Sequence, residues 1–380
     1  MRFLRKNKVK KTIIVISDIH LGAGAYYKNE RNFLEDFHYD QELVDFLEYY
    51  STGNNSGKEI ELIINGDFLD LLAVPFVEYF DDEFWSEEAA LEKLNIILDA
   101  HPEVLEALNN FVKNKNKTIT FIIGNHDAEL IFPSLQQRFT EIFDKEHQER
   151  FRFYTENSGV YEPIKGVVIQ HGHEYEVAHQ FEYETCVQED ENGRKFFIPP
   201  WGSYYVIRVI NKFKEIRPHV NAIRPIKKFI INGLIYDTLF TIRFLLANGI
   251  YFILVRVISM FKESPGAGKI IKEAMHELEL FKDYDDLVQE KFEKDKDLNV
   301  LIVGHTHEPI YRAYQNGKVF INTGTWTHMH HLDFERSSNG PLLTYALIEL
   351  KDDDEKEDTV ESALNVWQGT NNHPYHEFLL

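Results

Sequence analysis

The sequence predicts an α/β fold with a mainly parallel component, because short β-branched runs alternate with longer segments of helical spacing. Five runs are almost continuously hydrophobic, as expected for strands that are buried on both faces. They are Thr12–Ser17, Ile60–Asn65, Thr118–Gly124, Val167–Gln170 and Asn299–Gly304, and a sixth run of this kind is Lys318–Gly324. Helices are predicted between the runs, over Gln41–Tyr50, within Glu87–Lys115 and within Ala128–Glu149.

Each of the first five runs leads into a short polar motif. The motifs are Ser17-Asp18-Ile19-His20, Gly66-Asp67-Phe68-Leu69-Asp70, Gly124-Asn125-His126-Asp127, His171-Gly172-His173 and Gly304-His305-Thr306-His307. A single Asp or His at the end of a strand more often forms a local hydrogen bond. Because open α/β sheets form their crevices at the carboxyl ends of strands, five such motifs in order predict one shared site.

These residue types are typical of a site for two divalent metal ions. Two ions roughly 3.5–4 Å apart can clamp a phosphoryl group and activate a nucleophile. Asp67 is predicted to bridge the ions. Asp18, His20 and His307 then complete one ligand set, and Asn125, His171 and His305 complete the other. The mixed nitrogen and oxygen donors suit manganese, with iron or zinc as alternatives. On extended segments, Asp-x-His and His-x-His would direct both side chains to one face.

The motif set resembles that of the calcineurin-like metallophosphoesterase superfamily, over roughly residues 12–175 and 299–330. The resemblance implies a four-layer α/β/β/α sandwich, which we expect within residues 1–350, and attack on phosphorus by a metal-bound hydroxide. It also implies that His126 protonates the leaving group, that Asp127 orients His126 and that Asp70 holds a ligand imidazole. An alternative for Asp70 is a cap on the segment from Leu71 onwards. Residues 351–380 are expected to form an acidic C-terminal tail.

Composition narrows the classes of partner. The chain has 380 residues and a net charge of −21, which argues against a general surface for nucleic acid. The lone cysteine, Cys186, excludes an internal disulfide framework and favours a reducing compartment such as the cytoplasm. The apolar run that follows the basic segment Met1–Lys11 is too short for a signal peptide. The sequence does not predict the oligomeric state.

A helical insertion is expected at about residues 180–298, between the fourth and fifth motifs. Residues 204–263 contain ten Lys or Arg and three Asp or Glu, a net of +7, which leaves −28 for the rest of the chain. The same segment is strongly apolar, but its longest uncharged apolar stretch, Phe244–Val255, has 12 residues, short of the roughly 20 that a membrane span needs. Peripheral contact with anionic lipid is one interpretation, with Arg224, Lys227 and Lys228 as candidates for membrane or substrate binding. Packing of the apolar faces on each other and on the core is the other.

The motifs also suggest a substrate class. Asp-Ile-His-Leu-Gly, Gly-Asp-Phe-Leu-Asp and an apolar insertion before Gly-His-Thr-His look similar to the UDP-2,3-diacylglucosamine pyrophosphatases of lipid A synthesis. Two departures are a His at position 126, where those enzymes usually carry Arg, and a longer insertion. We therefore predict hydrolysis of a small or lipid-linked phosphate or pyrophosphate ester. The alternatives are a nuclease or general phosphomonoesterase or phosphodiesterase, and a non-catalytic scaffold.

Overall fold

The computed structural model describes residues 9–75, 82–224, 226–262, 284–331, 342–352 and 358–369. Within them, eleven strands form two large sheets. In chain order these are β1 (Val9–Ile16), β2 (Ile60–Asn65), β3 (Lys117–Ile122), β4 (Phe151–Tyr154), β5 (Tyr161–Ile164), β6 (Val167–Ile169), β7 (Val300–Val303), β8 (Pro309–Ala313), β9 (Val319–Thr323), β10 (Thr344–Lys351) and β11 (Thr359–Val366). Short strands pair outside these sheets: Tyr26–Tyr27 with Glu30–Arg31, Val187–Glu189 with Lys195–Phe197, and Ile223–Arg224 with His330–His331.

The first sheet has the order β11-β10-β1-β2-β3-β4. Strands β1 to β4 are parallel, with Val15 opposite Ile63 and Ile63 opposite Thr120. Strand β10 pairs antiparallel with both β1 and β11. The second sheet has the order β8-β9-β7-β6-β5, in which β6, β7 and β9 are parallel. All six strands predicted from hydrophobic runs are confirmed, with ends that differ by a few residues.

The helices, in chain order, are α1 (Asp40–Ser51), α2 (Glu87–Ala100), α3 (Pro102–Lys113), α4 (Pro133–Thr140), α5 (Trp201–Tyr205), α6 (Asn211–Lys214), α7 (Ile226–Tyr236), α8 (Thr238–Lys262) and α9 (Tyr284–Lys294). A π-helical turn, Val206–Ile210, joins α5 to α6 without a break. Short 3₁₀ helices occupy Gly53–Asn55, Leu71–Ala73, Asp82–Trp85, Ala128–Ile131, Gln148–Arg150, Glu156–Gly159 and His173–Tyr175. None of the described helices is long and apolar enough to cross a membrane.

The two sheets pack face to face and helices cover their outer faces, so the molecule has four layers. Along β1, Ile13 and Val15 enter the core between the sheets, where they join residues such as Ile302. Ile14 and Ile16 face the other way, into a core shared with α1 to α4. On the far side, α9 packs Val288 and Phe292 against β7 and β9. This confirms the expected α/β/β/α sandwich.

Two predicted boundaries are wrong. The chain does not leave the domain at residue 351, because β11 pairs with β10 along its whole length, from Thr359 opposite Lys351 to Val366 opposite Thr344. Residues 353–357 and 370–380 of the predicted tail lie outside the described residues. The predicted end of the insertion, at about residue 298, is also too far along the chain, because α9 (Tyr284–Lys294) belongs to the outer layer of the sandwich. Residues 263–283 of that range are not among those described.

Candidate metal centre

The five predicted motifs meet at one end of the two sheets. Asp18 follows β1, Asp67 follows β2, Asn125 follows β3, His171 follows β6 and His305 follows β7. These five strands run parallel within their sheets, so their carboxyl ends share an edge. Asp18, Asp67 and His171 are fully or almost fully buried. The structure thus brings the predicted ligands together at the rim that the sequence indicated.

Five of the predicted ligands have a left-handed backbone, which residues other than glycine adopt rarely. Their φ angles are 53° for Asp18, 57° for His20, 51° for Asp67, 69° for His305 and 62° for His307. The expectation of extended segments is therefore wrong, and tight left-handed turns orient these side chains instead. Such a conformation costs about 1–3 kcal/mol per residue and persists only where surrounding contacts hold it.

Backbone hydrogen bonds and one carboxylate hold these turns. The Asp18 amide donates to the carbonyl of Gly66 at 3.1 Å, and the His20 amide donates to the carbonyl of Asp67 at 2.9 Å. The His305 amide donates to both carboxylate oxygens of Asp18, at 3.1 and 3.0 Å. The turns after β1, β2 and β7 therefore fix one another.

Asp18, His20 and His307 form the first group of candidate ligands, as predicted from the motifs. The Nε2 atoms of His20 and His307 face each other at 3.0 Å. Asp18 Oδ1 lies 3.4 Å from the Nε2 atom of His307 and 4.0 Å from that of His20. Two imidazole nitrogens and a carboxylate oxygen that converge in this way are a donor set for a divalent cation.

The second group of candidate ligands centres on Asp67 and His171. His171 Nε2 lies 3.1 Å from Asp67 Oδ2 and 3.2 Å from Asn125 Oδ1. Ligand atoms of Asp67, His171 and His305 all lie within 4.8 Å of one another, and Asp67 forms another such group with His20 and His126. Asp67 thus lies between the two halves of the site, where a bridging carboxylate is needed.

The surroundings of His171 favour metal ligation through Nε2. Its Nδ1 atom donates to the carbonyl of Asn65 at 2.8 Å, so Nε2 is the ring nitrogen that is directed towards Asp67. Outer contacts of this kind fix the ring and tautomer of a metal-binding histidine. Burial opposes charge on both groups, but their mutual attraction lowers the pKa of Asp67 well below its usual value and raises that of His171 to about 10.

Asp70 contacts two imidazoles. Its Oδ1 lies 2.9 Å from Nδ1 of His126, and its Oδ2 lies 3.4 Å from Nδ1 of His20. Burial would raise the pKa of Asp70, but these histidines hold it far below its usual value. The alternative role as a cap does not apply, because the Asp70 side chain makes no capping hydrogen bond to the 3₁₀ helix Leu71–Ala73.

Asp127 does not orient His126, and this expectation is wrong. Its Oδ1 accepts from the Gly124 amide at 2.6 Å, and its Oδ2 accepts from the Phe68 amide at 2.9 Å. The carboxylate therefore joins the turn after β2 to the turn after β3. Burial and the nearby charge of Asp67 raise the pKa of Asp127 to about 7. Asp70, from the second motif, occupies the position beside His126.

Two residues at the site were missed from the sequence, Glu176 and His179. Glu176 Oε2 lies 2.8 Å from Nε2 of His305 and 3.5 Å from Nε2 of His179. The Asn125 amide nitrogen lies 3.4 Å from Nδ1 of His179. Burial and the charge of His305 lower the pKa of His179 to about 3. Their one sequence signal is that they closely follow the fourth motif.

A cavity of about 320 Å³ opens over the two groups of candidate ligands. Tyr205, Val206 and Ile210, at the end of α5 and in the π-helical turn, line its other side. Two buried polar side chains anchor this roof. The Lys214 ammonium donates to Asp36 at 2.7 Å and to the Leu34 carbonyl at 3.0 Å. The Asn211 amide donates to the carbonyl of Leu72 at 2.8 Å.

The three basic candidates of the insertion are only partly described. Lys228 is exposed on α7, and Arg224 lies in the short strand Ile223–Arg224. The side chains of Arg224 and Lys227 lie outside the described residues.

The chain belongs to the calcineurin-like phosphoesterase family, which it matches over residues 11–309. No curated protein matches it. Among solved structures it is similar to a dimetal phosphatase from Danio rerio, with 12% identity, 95% of this chain and 100% of that chain covered, and a TM-score of 0.37. It is also similar to the calcineurin-like phosphoesterase YfkN from Bacillus subtilis, with 14% identity, 95% and 92% covered, and a TM-score of 0.33.

Family membership agrees with the chemistry of the site. The family implies a dinuclear divalent metal centre, and the converging Asp, Asn and His side chains are suitable donors for one. Glycines before the candidate ligands leave the space that this arrangement needs. A Cβ on Gly124 would lie 2.2 Å from Oδ1 of Asp67, and one on Gly304 would lie 2.4 Å from Oδ2 of Asp18. The protein is a metal-dependent hydrolase that acts on phosphate esters.

Proposed function

We propose that this protein hydrolyses the phosphate or pyrophosphate ester of a lipid-linked small molecule. The observation that carries the proposal is the composition of the cavity wall. Candidate metal ligands and His126 lie on one side. Tyr205, Val206 and Ile210 add an apolar strip to the rest of the wall, beside the polar side chains of Asp36, Asn211, Lys214 and Asn221. A ligand that fits both sides has a phosphate group next to an apolar part.

The two proposed metal sites share Asp67. Asp18, His20 and His307 would hold one ion, and Asn125, His171 and His305 would hold the other. When bound, the ions would polarise the phosphoryl oxygens and generate a nucleophile from water near neutral pH. The mixed donor set suits manganese, and iron and zinc are the competing metals.

His126 is the proposed proton donor to the leaving oxygen. It lines the cavity, and Asp70 fixes its ring through Nδ1 at 2.9 Å. With Nδ1 held in this way, Nε2 is the nitrogen left to transfer a proton. General acids of this kind contribute roughly 10²–10⁴-fold to the rate. The Asp127 carboxylate keeps the loop that carries His126 in place through its bonds to backbone amides.

The size of the cavity also bears on the substrate. About 320 Å³ is at the lower end of the range for small-molecule sites, so a diacylated nucleotide sugar would not fit inside it as a whole. Its acyl chains would extend past the roof towards α7 and α8. The proposed setting is a reducing compartment such as the cytoplasm, which the lone Cys186 favours, with the protein peripherally bound to a membrane.

A substrate screen tests the proposal. The panel contains UDP-diacylglucosamine, its deacylated form, a nitrophenyl phosphate and single-stranded DNA, each assayed with manganese, iron or zinc. We expect cleavage of the phosphate or pyrophosphate bond, fastest with manganese and faster for the acylated substrate than for its deacylated form. Preferred cleavage of DNA, or equal rates for the acylated and deacylated forms, would contradict the lipid-linked assignment.

A further inference from the structure

The helices α7 and α8 expose eleven large apolar side chains, whose surface we call the hairpin face. Single exposed apolar side chains are ordinary, but contiguous patches mark interaction sites. Ten large apolar side chains in these two helices are 38–65% exposed, and Tyr236 is 86% exposed. The residues of the hairpin face are Ile231, Leu234, Ile235, Tyr236, Leu239, Ile242, Leu245, Leu246, Ile250, Ile253 and Leu254.

On α8 the exposed and covered residues form separate stripes, as helical periodicity requires. The covered stripe faces the roof of the cavity. Phe244 packs edge to face on Phe213 at 5.1 Å, and the Tyr251 hydroxyl donates to the carbonyl of Trp201 at 3.1 Å. The α8 helix therefore has a defined inner side, and the hairpin face is its outer side.

The two helices also contact each other closely, so the face is a single surface. A Cβ on Gly233 of α7 would lie 2.3 Å from Oγ1 of Thr241 on α8. Phe229 and Phe244 pack with their ring centroids 6.1 Å apart. These contacts align the exposed stripes of α7 and α8 side by side.

The charges of the hairpin indicate what covers the face. Helices α7 and α8 contain five basic residues and no Asp or Glu, and Asp237, which joins the two helices, pairs with Arg217 at 2.8 Å. They are Lys227, Lys228, Arg243, Arg256 and Lys262. In a two-fold dimer through this face, the same patch of each copy would meet, so the basic residues of one copy would approach those of the other. An anionic lipid surface supplies both an apolar phase and the opposite charge.

We propose that the hairpin face docks on an anionic lipid bilayer and lies in its interface. The docking does not depend on the proposed substrate, although it would place the enzyme where a lipid-linked ester is found. Helices of this type insert their apolar side about 5–10 Å into the boundary between headgroups and acyl chains. In this arrangement the largely apolar α8 lies along that boundary.

Flotation with vesicles of phosphatidylcholine, with or without phosphatidylglycerol, tests the docking. We expect the full chain to float with the anionic vesicles, to bind neutral ones less and to dissociate as salt rises. Arg243→Glu should lower the partition coefficient about tenfold or more, because one basic residue contributes about fivefold near such a surface and reversal adds repulsion. The matched control is Lys145→Glu, which makes the same charge change at an exposed position outside the insertion and should alter partition less than about twofold.

A second variant tests the apolar part of the face. Leu239→Ser/Leu246→Ser should abolish flotation while a nitrophenyl phosphate is still hydrolysed, which shows that the protein is folded. No flotation of the wild type at low salt would overturn the proposal. An equal loss of partition in Lys145→Glu and Arg243→Glu would also overturn it. So would a wild-type dimer in solution that dissociates in the double Ser variant but not in Arg243→Glu. Docking without any preference for acylated substrates would uphold this proposal and contradict the proposed substrate.

Discussion

Replacing His126 by Ala should remove turnover and leave metal binding in place. The proposed role of His126 is to protonate the leaving oxygen, not to hold an ion. For a substrate with a poor leaving group, such as an alkyl phosphate, the expected loss in kcat is about 10²–10⁴-fold. That loss corresponds to about 3–5 kcal/mol of transition-state stabilisation. Elemental analysis of the variant should still give the wild-type metal content.

The leaving group provides the discriminating assay for this variant. A nitrophenolate needs little protonation to depart, so the loss for a nitrophenyl phosphate should be much smaller than for an alkyl phosphate. The two substrates share one enzyme preparation, so errors in protein or metal content cancel in the ratio of their losses. Equal losses for both substrates would refute the role of His126 as a proton donor.

Asp70 should act largely through His126, because its Oδ1 lies 2.9 Å from Nδ1 of that histidine. Asp70→Asn is expected to lower kcat about 10–100-fold, as is typical when an outer contact of a site is removed. In a His126→Ala background the same substitution should cost much less, since only the longer contact to His20 remains. Full additivity of the two losses would show that Asp70 acts independently of His126.

Three further predictions address the stability of the fold, the pH dependence of metal affinity and the space that Gly124 leaves beside Asp67. Lys93→Met should destabilise the fold by about 3–5 kcal/mol in urea unfolding, because Lys93 and Glu129 form a buried ion pair at 2.7 Å, and Lys93→Met/Glu129→Leu should recover most of that loss. A single-variant loss below about 1 kcal/mol would contradict this. Interactions with carboxylates, against the effect of burial, raise the pKa of His20 to about 9 and that of His171 to about 10, so both are protonated at neutral pH without metal. Metal affinity should therefore rise with pH up to about pH 9–10, with proton release in calorimetry across buffers of different ionisation enthalpy. A flat profile would count against ligation by these residues. Gly124→Ala should fold but lose metal affinity in a titration, because its Cβ would displace Asp67, and unchanged affinity would mean that Asp67 moves at no cost.

The parts of the molecule predicted best are those with a strong local signal. Buried strands such as β2 and β7 are short and rich in Ile, Leu and Val, and a polar motif directly follows each of them. Strand β11 gave no such signal. It forms the edge of its sheet, none of its residues is fully buried, and half of its eight residues are polar. Pairing with β10, not composition, makes it a strand.

The errors at the site arise from contacts between residues that are distant in sequence. Asp127 is adjacent to His126 in the chain, but the turn directs its carboxylate to backbone amides, whereas Asp70 reaches His126 from another loop. Glu176 and His179 reach the site only because the chain folds back after β6. The left-handed turns depend on contacts between three loops, which no local propensity encodes.

The central claim is that one carboxylate joins two metal sites, and the metal content of Asp67→Ala tests it most directly. The protein is loaded with manganese, passed through a desalting column and analysed for bound metal, with circular dichroism to confirm that it is folded. We predict two ions per chain in the wild type and the loss of both, or nearly both, in the variant. A folded Asp67→Ala protein that retains two tightly held ions would contradict the claim.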